Sequence, residues 1–211
     1  MNSLINEKRE DEYSHKGIDR AALIDKSVIE SSDYKRKFDN ATENPQVNKT
    51  LYTSAKEMLY DRSGTHYESM RWIDGETGEI IAKFDNMGRI DALSGKDHEL
   101  KVEYGANTLH KLKGHNNIIV IHNHPNSSAP SAGDFNSAFV RGYALGFVAT
   151  HDGRLFKYSS AELISEILYT KYWQRNIARH YDEVDAQIIA IKELSRNLKI
   201  TFKEVIHNDM V

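Results

Sequence analysis

Ile118-Ile119-Val120-Ile121-His122-Asn123-His124-Pro125, followed by Asn126-Ser127-Ser128-Ala129-Pro130-Ser131-Ala132-Gly133-Asp134, is the stretch around which this chain is organised. Its first four residues are apolar and β-branched, the composition of a buried strand. Side chains alternate faces along a strand, so residues two apart point the same way. His122 and His124 therefore offer two imidazoles to one side. Pro125 has no N–H to give to a ladder and ends the strand. A loop of Asn, Ser and Pro follows, and Ser131-Ala-Gly-Asp134 leads into a helical pattern running to Arg141. The short loop returns the Asp134 carboxylate to the imidazoles, which makes a three-ligand zinc site with one ion per chain. Three protein ligands leave a fourth position for water, the arrangement of a catalytic zinc.

Composition narrows the surroundings of this motif. The 211 residues suffice for one good-sized core. The chain has no cysteine, which excludes disulfides and thiolate ligands and leaves His, Asp and Glu to bind metal. A net charge of −3 gives no reason to expect nucleic acid as a partner. Met1 to Glu10 holds no apolar run that could act as a signal peptide, and Ile118 to Ile121 is too short to cross a bilayer. A cytoplasmic protein without a membrane partner is expected.

Outward from the motif, the pattern is that of an α+β fold. Residues 1–48 are charge-rich and read as a helical or partly disordered extension. Lys49 to Tyr60 is predicted as a helix, with Leu51, Ala55, Met58 and Leu59 on one face and Gly64 beyond its end. Glu68 to Phe84 reads as a hairpin about Gly75-Glu-Thr-Gly78, His98 to Tyr104 as a third strand and Ala106 to Leu112 as a short helix. A second hairpin turns at His151-Asp-Gly153, which places His151 at an exposed tip. After Ser159, Ile177, Tyr181, Val184, Ile188, Ile191 and Leu194 recur at helical steps, giving a long amphipathic helix or a helix pair. The expected architecture is a curved mixed sheet flanked by helices over 49–165, with a C-terminal helical arm over 166–211. The arm packs on its own chain or, alternatively, pairs two copies in a homo-oligomer.

A zinc hydrolase also needs a carboxylate that moves a proton from water to the leaving amine. Glu68 fits if its strand pairs beside the motif strand; Glu76, Glu79 and Glu103 are weaker candidates near turns and strand ends. Ser131-x-x-Asp134 also has the form of a helix capping box, with Asp in place of Glu.

Glu68, then His122-Asn-His124-Pro125, then Ser131-Ala-Gly-Asp134, resembles the motif of the JAMM metallopeptidases, also called MPN+ or JAB domains. The His-Asn-His-Pro wording is similar to RadC-type JAB domains, and the lead-in to Glu68 to those of phage and mobile-element proteins. The resemblance implies the JAMM fold over about 50–165, with His122, His124 and Asp134 on zinc, Glu68 as acid/base and Ser131 assisting the oxyanion. It implies hydrolysis of a peptide or isopeptide bond by zinc-bound water, on a peptide or on the tail of a ubiquitin-like or other protein. Five residues separate Pro125 from Ser131, one fewer than is usual in that family. A zinc-stabilised interaction module without catalysis is the alternative.

Overall fold

The structure, a computed structural model, describes residues 21–85, 89–90, 97–98 and 106–206. Its elements are α1 (Lys26–Ile29), α2 (Ser32–Asp39), α3 (Pro45–Arg62), β1 (Ser69–Asp74), β2 (Ile80–Asp85), β3 (Arg89–Ile90), β4 (Asp97–His98), α4 (Ala106–Leu112), β5 (Ile118–His124), α5 (Ala132–Arg141), β6 (Leu145–Thr150), β7 (Leu155–Ser160), α6 (Glu166–Ile177), α7 (Glu183–Leu194) and β8 (Ile200–Glu204). The fold is α+β. Six strands form one mixed sheet in the order β2-β1-β5-β6-β7-β8, and β3 pairs with β4 apart from it. Only β5 and β6 run parallel, as the α5 crossover between them requires. All other neighbours in the sheet are antiparallel.

The central strand β5 is buried on both faces. Ile119 and Ile121 join Ile73, Phe147, Ala149 and Leu155 in a core covered by α1, α2 and α3, through residues such as Ile29, Tyr34, Phe38, Leu51 and Met58. Val120 joins Trp72, Val148, Phe156 and Tyr158 in a second core covered by Phe135 of α5, Tyr169 of α6, and Ile188 and Ile191 of α7. Burying a side chain the size of Ile121 contributes roughly 1.5–3 kcal/mol. A one-residue slip would exchange the two faces of the strand, so both cores fix its register and with it the direction of His122 and His124.

The boundary expected at residue 48 does not coincide with a break in packing. Tyr34 and Phe38, one helical turn apart on α2, are each 1% exposed and belong to the core under α3. Residues 1–20 lie outside the described residues, as does most of the third strand expected at 98–104. Of the two alternatives for the C-terminal region, the structure has the helix pair rather than one long helix, packed on its own chain. Residues 178–182 separate α6 from α7, His180 takes a left-handed φ of 69°, and the Asp182 side chain caps α7 by accepting from Asp185 N at 2.8 Å. The two helices lie on the sheet, and β8 completes it as an edge strand beside β7.

His151 is the other correction, because it is fully buried rather than exposed. A strap formed by residues 22–25 covers it. His151 Nδ1 meets Ala22 O at 2.5 Å, Asp25 N donates to His151 O at 3.1 Å, and Gly64 N donates to Ala22 O at 3.0 Å. Ala22 N in turn donates to Pro125 O at 2.8 Å. The strap therefore ties the loop after β5 to the end of α3 and to the β6–β7 hairpin. Among the described residues, no helix is long and apolar enough to cross a membrane.

Candidate metal centre

Two elements bring the donor atoms together. β5 carries His122 and His124 on the face covered by α5. The first turn of α5 carries Asp134, which is placed by its own cap. Ser131 is the N-cap, its side chain accepts from Asp134 N, and the Asp134 carboxylate accepts from Ser131 N, so the capping box is closed. The five-residue loop is long enough for this. His122 Nε2 and His124 Nε2 lie 3.0 Å apart, and the nearest Asp134 oxygens lie 3.2 Å and 3.6 Å from them. Zinc bonds of 2.0–2.1 Å in tetrahedral geometry set donors about 3.3 Å apart. These three side chains also form the group of potential metal ligands found among the described residues.

The partners of the other polar atoms favour the same role. His124 Nδ1 faces Ser128 O at 3.0 Å and Ser128 Oγ at 2.9 Å; the carbonyl can only accept, and the Nδ1–H tautomer that satisfies it would leave the Nε2 lone pair for a cation. Asp134 Oδ2 accepts from Ser131 N at 2.7 Å and from Ser131 Oγ at 2.8 Å, while Oδ1 turns to His122. His122 Nδ1 is buried without a hydrogen-bond partner.

The lining of the site brings two carboxylates to two imidazoles. Its cavity, of about 370 Å³, is lined by Glu68, Met70, His122, His124, Ser131, Gly133, Asp134, Ser137, Tyr143 and Tyr158, with two carboxylates and neither Lys nor Arg. Burial pushes the Asp134 carboxyl up, but the charge and hydrogen bond of His122, with His124 behind, hold it well below the usual carboxylate range. Burial pushes the His122 imidazole down, and Asp134 and Glu68 together outweigh this and raise it. A divalent ion between the Nε2 atoms and Oδ1 would take the place of the proton that Asp134 and Glu68 favour on His122, and the donor set fits zinc.

Glu68 stands one residue before β1, half-buried, at the same end of the sheet as the imidazoles, because Met70 pairs with His122 across β1 and β5. Glu76 and Glu79 lie at the far end, beside the turn after Asp74, which pairs with Ile118. Glu103 is outside the described residues. The cavity floor comes from residues that the sequence did not single out. Tyr158 of β7 lies across Gly146 of β6, its registered partner, and its ring meets His122 edge-on at 6.4 Å. Trp72 Nε1 donates to Tyr143 Oη at 2.9 Å, which holds the Tyr143 ring in place. Ser128, four residues after His124, and Asn123, between the imidazoles, were also missed. Their adjacency to the ligands was the available signal.

The chain matches no family model, no curated protein and no solved structure.

Proposed function

We propose that the chain is a zinc-dependent hydrolase of amide bonds, a JAMM-type metallopeptidase or isopeptidase of the cytoplasm. Its substrate would be a peptide or the tail of a protein, such as a ubiquitin-like one. The observation that carries this reading is the convergence of His122, His124 and Asp134 at one end of a cavity that Glu68 also lines. When bound, zinc supplies a Lewis acid for the scissile carbonyl and lowers the pKa of water. His122 and His124 would hold the ion through Nε2 and Asp134 through Oδ1. Glu68 would take a proton from the attacking water and deliver it to the leaving nitrogen. Ser131 would turn its hydroxyl from Asp134 towards the developing oxyanion, while its backbone N–H keeps the Asp134 carboxylate in place.

Elemental analysis of the purified chain after mild chelation tests the first half, with His122→Ala/His124→Ala beside it. About one zinc per chain, lost in the double variant, is expected. A wild type that takes up no zinc even when zinc is supplied overturns the reading. Hydrolysis of a panel of peptides and isopeptide conjugates tests the second half. Glu68→Gln should keep zinc and lose turnover; a variant that cleaves at the wild-type rate removes Glu68 from the chemistry.

The engaged hydroxyl of Ser131, donating to Asp134 at 2.8 Å, favours a second reading, a zinc-stabilised interaction module. In that case Glu68→Gln is silent, and removing zinc lowers both the melting temperature and partner affinity.

A further inference from the structure

The ladder between β1 and β5 stops at Met70 and His122. One step further on, the carboxamide of Asn123 takes the ladder's place. Its Oδ1 accepts from Ser69 N at 2.8 Å and its Nδ2 donates to Tyr67 O at 3.2 Å. Those two peptide groups flank the Cα of Glu68. The strand that carries both imidazoles therefore grips the backbone of Glu68 on each side. Ser69 is also held from behind, where Arg62 Nε donates to Ser69 Oγ at 2.6 Å. Asn123 is fully buried, so water cannot replace its bonds.

A side chain that only filled this space would be apolar and β-branched, as Ile119 and Ile121 on the same face of β5 are. A carboxamide supplies one acceptor and one donor, which matches an N–H and a C=O presented by the facing chain. An Asp offers the acceptor alone. We infer that Asn123 is a positioning residue that fixes the Glu68 carboxylate relative to the metal ligands, an inference that rests on the proposed role of Glu68. The two faces of β5 then do linked work. His122 and His124 present the donors on one face, and the residue between them sets the distance to the proton carrier.

The test uses the full chain loaded with zinc and the small chelator acetohydroxamic acid, whose hydroxyl proton passes to a carboxylate beside the ion. Zinc affinity is read by competition with a chromogenic chelator and acetohydroxamate affinity by calorimetry. Glu68→Gln and Asn123→Ala should each weaken acetohydroxamate on the order of tenfold while zinc affinity holds, and the double variant should be no weaker than either single one. Asn123→Asp, which keeps the volume and the bond from Ser69, should fall between, and it replaces the alanine variant if that does not fold. Wild-type acetohydroxamate affinity in the Asn123 variants overturns the inference, as do losses that multiply in the double variant. If Glu68→Gln alone binds acetohydroxamate as the wild type does, the role of Glu68 fails. The grip is then judged by hydrogen exchange: a faster Ser69 amide in Asn123→Ala supports it, and an unchanged one overturns it.

Discussion

Gly146→Ala should disturb the candidate metal centre from beneath. A methyl group at this position would lie 2.2 Å from Tyr158 Cζ and 2.5 and 2.6 Å from its Cε atoms. Carbon atoms rest about 3.5–4.0 Å apart, so the ring would have to rise by roughly 1.3 Å or more. Above it sits Phe135, with ring centroids 5.2 Å apart, and beside it His122 at 6.4 Å. Phe135 follows Asp134 in α5, so the pressure passes to a candidate ligand. Overpacking of this kind costs about 1–3 kcal/mol. The upper half of that range applies, because Tyr158 is 2% exposed and wedged on both sides. A loss of about 2 kcal/mol lowers the melting temperature of a chain this size by roughly 4–8 °C. Urea unfolding of the metal-free protein measures the first effect, and chelator competition measures the weaker zinc binding that should accompany it. The cost should largely vanish when Gly146→Ala is introduced into a Tyr158→Leu background. An unchanged unfolding midpoint, or an equal cost in both backgrounds, would refute the reasoning.

Two further predictions concern caps and charge. Ser131→Ala removes the cap of α5 and the hydroxyl held by Asp134 Oδ2, and should cost about 1 kcal/mol in urea unfolding. Zinc competition should also reveal a loss of affinity on the order of tenfold. The Asp74 carboxyl is held down at about 2 by the Thr77 backbone N–H, then by the hydrogen bond from His115, against burial. A depressed folded-state pKa means stability that is present above the unfolded value of about 3.9 and lost as pH falls through the folded one. Asp74→Asn should therefore be less stable than the wild type at pH 5, and the gap should close between about pH 4 and pH 2. A gap that stays constant across acid unfolding curves would rule this linkage out.

The grouping of His122, His124 and Asp134 was legible in the sequence because its parts are local. The apolar run before His122, the two-residue step to His124, the stop at Pro125 and the Ser131–Asp134 cap all lie within 17 residues of chain. What was not legible depends on distant contacts. His151 sits in a polar hairpin turn and looks exposed until Ala22, 129 residues away, covers it. Tyr34 and Phe38 are surrounded by charges on α2, and only α3 and the sheet reveal which face they occupy. The break between α6 and α7 carries neither Gly nor Pro, and the apolar stripe continues across it. Periodicity alone therefore could not distinguish one helix from two. The roles of Asn123 and Tyr158 depend on which strands are neighbours, information that exists only once the sheet is assembled.

The strap over His151 also sets a schedule for synthesis. Ala22 is made 129 residues before His151, the partner of its carbonyl. At about 5–20 residues per second, that is a wait of roughly 6–26 s. Over the last 26 residues of that interval the loop beginning at Pro125, which joins the imidazoles to Asp134, exists without the completed strap. The grouping of His122, His124 and Asp134 thus matures late, after the hairpin of β6 and β7 has formed.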